Sequence, residues 1–253
     1  MKIIISLTCI PPRFGGLKDV IVSLLKQTKK PDYIIINIPE TYARFKDTFI
    51  IPKFIMNTPG LILNRISKDY GPASKLLGLR ELVLYKELSL DSIIICVDDD
   101  RIYNNKLVET FINNMHDNRA LCVAGWDINK LSNNVLSYNH LLYPRGVEYL
   151  SPGYIDILGG CCGFAMTKKN CPFYDETIFT LSSDDVKYYV DDVWISGFLT
   201  IQKVDIYMIP GYGDERRSSN DTIYPLCDES RTSKNIVCIN YFRDNYGIWI
   251  NRT

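Results

Sequence analysis

Residues 93–100 read Ile-Ile-Ile-Cys-Val-Asp-Asp-Asp, an apolar run that stops abruptly at three adjacent carboxylates. Such a run is typical of a strand covered on both faces, as in the parallel sheet of an α/β protein. Three neighbouring carboxylates repel one another unless a cation lies among them. Alternation along an extended strand points Asp98 and Asp100 to one side and Asp99 to the other. The stretch therefore predicts a buried central strand with a cation-binding end, although a solvated acidic turn or a helix N-cap is the structural alternative.

Strand-like and helix-like patterns alternate on both sides of this run. The predicted strands are residues 3–7, 33–38, 61–66, 92–97, 121–126, 154–158, 164–167 and 204–209. The predicted helices are residues 17–28, 76–83, 107–115 and one that begins near Asp192. This βαβ rhythm predicts an α/β fold of Rossmann type, with a mainly parallel central sheet flanked by helices in a single domain. Ligands of such folds bind at the carboxyl ends of the strands.

Length and charge limit the classes of partner. The 253 residues contain 29 Lys and Arg and 29 Asp and Glu, so no basic surface predicts a nucleic-acid partner. The first apolar run is too short for a secretory signal, and no window reaches the roughly 18 apolar residues of a membrane span. The eight cysteines contain no Cys-x-x-Cys pair, which suits reduced thiols. We expect a cytoplasmic protein without a transmembrane segment.

Four further motifs carry polar side chains or glycines at element ends. They are residues 6–13 after the first strand, 69–75 after the third, 156–164 around a predicted Gly-Gly turn, and 189–194 at a helix start. In the second of them, Gly71 and Pro72 open a helix, and free amides there would favour an anion. Lys75 is placed to reach that anion or the carboxylates around it. An ordinary turn with an Asp69–Lys75 ion pair is the alternative.

Together these motifs resemble the GT-A-fold glycosyltransferases. The likeness is to the family 2 type, and particularly to the small enzymes of large DNA viruses, and it covers residues 3–210. It implies that Asp98-x-Asp100 is a D-x-D motif binding Mn²⁺ or Mg²⁺ together with the diphosphate of a UDP-sugar. It also implies nucleobase and ribose contacts from Thr8 and Arg13. The candidate donor-binding residues are Thr8, Arg13, Asp69, Gly71, Lys75, Asp98, Asp99, Asp100 and Gly160, with Asp98 and Asp100 as the metal ligands.

The resemblance also assigns the chemistry of the acceptor side. Asp191-Asp192 matches the acidic pair at which inverting enzymes of this type place the catalytic base, and Asp192 aligns with the second acid. A helix N-cap is the structural alternative, and Asp184-Asp185 is a nearby decoy. The acceptor would be a glycan or another hydroxyl compound, in the host cytoplasm for a viral enzyme. Residues 1–126 would form the nucleotide-sugar half, 127–210 the acceptor half, and 211–253 a C-terminal loop or tail.

Other functions remain open at this stage. A phosphatase would need its Asp-x-Asp after an early strand, and a nucleotidyltransferase would need a basic Gly-rich loop after the first strand. A non-catalytic sugar-nucleotide or carbohydrate-binding module would use aromatic rings such as Tyr70, Trp126, Tyr143 and Tyr149. One departure from the resemblance is that no histidine follows residue 140 to complete a metal site, for which Asp214 and Glu215 are substitutes. The sugar, the acceptor and the oligomeric state are not assigned by the sequence.

Overall fold

The computed structural model describes residues 1–47, 49–126, 128, 152–209, 211, 216–226 and 230–250. Its strands are β1 (Ile3–Thr8), β2 (Tyr33–Pro39), β3 (Leu61–Ile66), β4 (Ile93–Cys96), β5 (Arg101–Ile102), β6 (Arg119–Trp126), β7 (Gly153–Ile155), β8 (Ile157–Thr167), β9 (Asp205–Met208) and β10 (Arg216–Arg217). Its α-helices are α1 (Leu17–Leu25), α2 (Lys53–Asn57), α3 (Ser74–Leu77), α4 (Val83–Glu87), α5 (Leu107–Asn113), α6 (Asp191–Ile201) and α7 (Arg231–Tyr246).

Eight strands form one sheet in the order β3-β2-β1-β4-β8-β6-β9-β7. The first four of these are parallel neighbours. Strand β8 runs antiparallel to both β4 and β6, β9 is parallel to β6, and β7 is antiparallel to β9. All strands of the sheet except β7 and β8 thus point the same way, which confirms the predicted α/β fold with its mainly parallel sheet. No described helix has the length and apolarity needed to cross a bilayer.

Side chains of the central strands alternate between two cores. Ile93 and Ile95 of β4 face α1 and α5, whereas Ile94 and Cys96 face α3 and α6. All four are buried because helices cover both faces of the sheet. The apolar run before the acidic residues is therefore the buried central strand that the sequence predicts, and it fixes the place where the chain emerges at the sheet edge.

The Gly-Gly turn predicted within residues 154–167 is wrong. Gly159 and Gly160 lie inside β8, which continues for 11 residues. Cys122 of β6 pairs with Phe164 and Ala124 pairs with Gly159, so Val123 alone faces residues 160–163. This wide bulge is possible because Gly163 adopts a φ of 82°, which side chains other than glycine rarely tolerate. The bulge lies beyond the end of β4, at the edge where the acidic residues are.

The C-terminal region also differs from the loop or tail that the sequence predicts. Helix α7 spans 16 residues there and packs against α6. Its buried positions, Asn235, Cys238, Ile239 and Phe242, follow a helical repeat, and the last three join a third core around Trp194. The helix predicted at residues 76–83 is likewise divided into α3, a 3₁₀ turn and α4.

Candidate active site

A cleft of about 1090 Å³ opens at the carboxyl ends of the parallel strands. Loops after β1, β3 and β4 form one part of it, and β8 with the first turns of α6 and α7 forms the other. It brings together ten of the eleven residues singled out from the sequence: Thr8, Arg13, Asp69, Gly71, Lys75, Asp98, Asp99, Asp100, Asp191 and Asp192. Gly160, the eleventh, lies directly behind the Asp192 carboxylate.

The alternation expected for the three acidic residues does not apply, because β4 ends at Cys96 and they lie in the turn that follows. Asp99 is not turned away from the site: its carboxylate lies on the guanidinium of Arg13, with Oδ1 2.6 Å from Nη1. Burial raises the pKa of Asp99 although Arg13 opposes the shift. All three carboxylates therefore line one cleft.

Asp100 has a buried oxygen without a hydrogen bond. Its Oδ1 accepts none from the described residues, and Nε of Arg101 lies 3.5 Å away. Burial, followed by repulsion from Asp98 and Asp99, raises the pKa of Asp100 to about 7. Arg13 Nη1, 3.5 Å from Asp100 Oδ2, and Arg101 offset only part of this repulsion. Hard carboxylate oxygens in such a cluster fit Mg²⁺ or Mn²⁺. Within the described ranges no three acidic, His or Cys side chains converge as a ready-made metal site.

Arg13 is anchored within the protein through two atoms of its guanidinium, and the nucleobase contact that the sequence suggests stays a prediction. Its Nε donates to the carbonyl of Ile223, at 2.7 Å, while Nη1 neutralises Asp99. The fully buried Asn220 donates through Nδ2 to the carbonyls of both Arg13 and Asp99, each at 2.9 Å. The segment around Asn220 thus ties the first loop to the acidic loop, and Arg13 acts there as a counter-ion.

Lys75 joins the two acidic groups of the cleft. Its Nζ lies 2.6 Å from Asp98 Oδ1 and 2.8 Å from Asp191 Oδ2, and the side chain is almost fully buried. Burial lowers the pKa of Lys75, but the carboxylates of Asp191 and Asp98 outweigh it and hold that pKa well above its ordinary value. The ion pair with Asp69 that the sequence allows is not formed; Lys75 is a charged bridge to the other carboxylates.

Asp192 is held from two sides. Its Oδ1 accepts a hydrogen bond of 3.0 Å from the amide of Gly160, and its Oδ2 lies 3.5 Å from Nη2 of Arg231. Burial, and then repulsion from Asp191, raises the pKa of Asp192 to about 7. A Cβ at position 160 would lie 2.7 Å from Asp192 Oδ1, so only glycine lets β8 pass this close. Gly160 supports the Asp192 carboxylate, and its position beside a donor sugar stays a prediction.

The motif at residues 69–75 is more rigid than expected. The amide of Gly71 is not free for an anion, because it donates to Asp69 Oδ1 at 2.8 Å. Asp69 Oδ2 accepts from the amide of Ala43 and from the Tyr188 hydroxyl, both at 2.8 Å. The Thr8 hydroxyl donates to the Asn37 carbonyl at 2.8 Å. These groups shape the cleft floor, and a ligand at Asp69 would share oxygens that are already bonded.

Several other sequence candidates are resolved by their surroundings. Asp185 caps the turn Val186–Tyr189 and Asp184 is exposed, so this pair is no rival of Asp191-Asp192. Tyr70 is buried in the third core, whereas Trp126 lines the cleft. The remaining candidates, Tyr143, Tyr149, Asp214 and Glu215, lie outside the described residues.

Sequence reasoning missed the contribution of α7. Arg231 and Asn235 both line the cleft, one helical turn apart. The missed signal is the spacing of Cys238, Ile239 and Phe242, which repeats with the period of a helix. The helix escaped notice because its first buried position is the polar Asn235, within a segment rich in charged and polar residues.

Comparisons with known proteins give a distant likeness. No protein-family profile and no curated protein sequence matches the chain. Among solved structures, residues 1–349 of S. aureus TarS align with a TM-score of 0.49 and 12% identity over 97% of this chain and 72% of that chain. The same TarS segment with UDP-GlcNAc gives 0.49 and 13% over 86% and 58%. The mannosyltransferase PcManGT from Pyrobaculum calidifontis, in complex with GDP-Man and Mn²⁺, gives 0.44 and 13% over 82% and 54%.

This chain therefore spans between 54% and 72% of the length of those structures. At such scores the likeness assigns neither an activity nor a ligand to this chain. The residues of the cleft have to carry any functional conclusion.

Proposed function

We propose that this chain is a metal-dependent glycosyltransferase of GT-A type, which transfers a sugar from a UDP-linked donor to an acceptor hydroxyl with inversion. One observation carries the proposal: two acidic groups face the same cleft and share the buried ammonium of Lys75. Transfer from a sugar diphosphate needs a cation for the leaving group and a base for the attacking hydroxyl. The Asp98–Asp100 loop suits the first of these tasks, and the Asp191-Asp192 pair suits the second.

The Asp98–Asp100 loop suits the leaving-group task. Asp98 and Asp100, whose Oδ1 accepts no hydrogen bond from the described residues, would hold Mn²⁺ or Mg²⁺, and the bound metal would neutralise the charge of the departing diphosphate. Arg13 remains on Asp99, so that the third carboxylate does not compete for the cation. Lys75 keeps Asp98 in place from the buried side.

Asp192 suits the base task better than Asp191. The carboxylate of Asp191 is held by Lys75, at 2.8 Å, whereas Asp192 accepts a hydrogen bond from a peptide amide and lies 3.5 Å from a guanidinium. A pKa of about 7 lets Asp192 take a proton near neutral pH. In the proposed reaction, Asp192 accepts the proton of the acceptor hydroxyl as that oxygen attacks the anomeric carbon.

Donor binding and turnover test the proposal. Calorimetry should give at least about tenfold tighter UDP binding with Mn²⁺ or Mg²⁺ than with EDTA, because the metal offsets repulsion between diphosphate and carboxylates. Asp100→Ala should remove that difference, whereas Asp117→Ala, a change at an exposed aspartate, should keep it. When Mn²⁺ or Mg²⁺ is present, the protein should also release UDP slowly from UDP-sugars. Equal affinity with metal and with EDTA would contradict the metal assignment.

A further inference from the structure

Part of the cleft has no role in the chemistry proposed above. Trp126 at the end of β6 and Arg231 and Asn235 on α7 line the cleft on the side of Asp192. We call these three residues the α7 wall. Strand β6, which carries Trp126, is two strands from β4 in the sheet order, and Nη2 of Arg231 lies 3.5 Å from Asp192 Oδ2. The α7 wall therefore borders the space from which an acceptor would approach Asp192.

Asn235, which lines the cleft, carries a buried acceptor atom. The residue is 7% exposed, and its Oδ1 accepts no hydrogen bond from the described residues. A buried polar atom left unpaired is destabilising, and in native proteins such atoms are rare outside functional sites. A ligand with an O–H group directed at Asn235 would supply the missing donor.

The charge of the α7 wall is already compensated. The guanidinium of Arg231 lies 3.5 Å from Asp192 and donates to the carbonyl of Tyr189. The nearest carboxylates, Asp191 and Asp192, would also repel an anionic ligand. A neutral, polyhydroxylated ligand fits this environment better than a phosphate or a carboxylate.

Trp126 adds an apolar surface next to these polar groups. Its side chain is partly buried against the third core, and the rest lines the cleft. Sugar rings combine a face of C–H groups with a rim of hydroxyls, so they suit an aromatic ring beside a hydrogen-bond acceptor. A peptide hydroxyl such as that of serine has the O–H group but lacks the apolar ring face.

We propose that the acceptor is a carbohydrate, with its ring on Trp126 and one hydroxyl donating to Oδ1 of Asn235. This inference rests on the proposed glycosyltransferase function. A second hydroxyl of the acceptor then lies at Asp192. Its oxygen forms the new glycosidic bond as the bond from the anomeric carbon to the diphosphate breaks. The proton passes to Asp192, and the diphosphate leaves with the bonding electron pair.

The test compares acceptors in the presence of Mn²⁺ and UDP-glucose, UDP-galactose or UDP-N-acetylglucosamine. The probes are the methyl glycosides of glucose, galactose, mannose and N-acetylglucosamine, set against N-acetyl-serinamide, with products identified by mass spectrometry. We expect a disaccharide product from at least one methyl glycoside. Asn235→Leu should raise the KM for that glycoside at least about tenfold, since it removes the buried acceptor atom, with a smaller change in the KM for the donor.

Matched variants separate recognition from folding. Asn240→Leu makes the same change on the exposed face of α7 and should leave the kinetics unchanged. If Asn235→Leu does not fold, as judged by circular dichroism, Trp126→Ala and Trp126→Phe carry the test. Trp126→Ala, which removes the ring, should raise the acceptor KM more than Trp126→Phe, which keeps an aromatic ring.

Three results would overturn the inference. Transfer to N-acetyl-serinamide but to none of the glycosides would overturn it while the glycosyltransferase function stands. An acceptor KM within twofold of the wild-type value in folded Asn235→Leu would also overturn it. If Asn235→Leu does not fold, the same result in both Trp126→Ala and Trp126→Phe would overturn it. Failure of the wild type to release UDP from any donor would instead remove the proposed function, and the carbohydrate site with it.

Discussion

The loop Asp98–Asp100 and the pair Asp191-Asp192 are both acidic, buried and close to Lys75, yet they are built differently. The loop draws its counter-ions from separate parts of the chain, with Arg13 on Asp99 and Lys75 on Asp98. The pair opens a helix, where a peptide amide of the β8 bulge and the guanidinium of Arg231 hold Asp192. In each group burial raises the pKa of one member to about 7.

The two groups differ in what would compensate the negative charge that raises each pKa. Asp100 stands next to two further carboxylates, so its strain is mutual repulsion in addition to burial, and a divalent cation would remove it. Asp192 is repelled mainly by Asp191, which Lys75 already neutralises, and a single proton suffices. Asp100 and Asp192 thus have similar pKa values but different tasks. The charged neighbours of each residue suit Asp100 to binding a cation and Asp192 to accepting a proton.

Removing the base should have the largest effect on transfer. Asp192→Asn keeps the shape of the side chain but loses the basic oxygen, so kcat should fall by about 10²–10⁴ while UDP affinity stays within a few-fold. Steady-state kinetics and calorimetry measure the two quantities. Asp184→Asn, at an exposed aspartate, is the matched control. A wild-type kcat in Asp192→Asn would contradict the separate roles of the two acidic groups. A loss of kcat found only in Asp191→Asn would assign the base to Asp191.

Lys75→Met should disturb both groups at once. The change leaves the carboxylates of Asp98 and Asp191 without their shared ammonium in a buried place, which should lower the free energy of unfolding by about 3–5 kcal/mol. Denaturant unfolding measures this change. Lys86→Met, at an exposed lysine, should alter stability little. A loss below about 1 kcal/mol would mean that the two groups are not linked through Lys75.

Gly160→Ala should act more strongly on the pair Asp191-Asp192 than on the loop Asp98–Asp100. The added methyl would lie 2.7 Å from Asp192 Oδ1 and 2.9 Å from Lys75 Nζ, so the carboxylate must move from its position. A displaced base should lower transfer by about 10–10², with metal-dependent UDP binding retained. Gly15→Ala, where no atom lies within 4 Å of the new methyl, controls for the glycine change itself. Equal losses of transfer and of UDP binding would count against separate roles.

The smallest expected effect is a shift of the pH profile. Asp192 accepts a proton only when ionised, so kcat should rise about tenfold per pH unit up to about pH 7 and then level off. Arg231 lowers the pKa of Asp192 by stabilising the anion, so Arg231→Gln should move the midpoint to higher pH. A midpoint that stays or falls in Arg231→Gln would contradict this contact. The residual kcat of Asp192→Asn should not show this rise with pH.

The sequence predicted the loop group better than the pair, for a physical reason. An apolar run followed by carboxylates is a local pattern, and the strand β4 with its acidic end follows from it. The support of Asp192 is not local: Gly160 reaches it through a bulge, and Arg231 through a helix that begins 39 residues later in the chain. Glycines read as a turn because the bulge depends on strand pairing with β6, which no local pattern reveals.

Asn220 and Ile223 lie more than 200 residues after Arg13, to which they are hydrogen-bonded. During synthesis on a ribosome, β1, β4 and their loops therefore emerge long before the segment that fixes their relative position. Until residue 223 has left the exit tunnel, the Arg13–Asp99 pair lacks the clasp that Asn220 provides by bridging both backbones. The nascent chain can pair β1 to β4 early, but the acidic loop reaches its final shape only after most of the chain has been made.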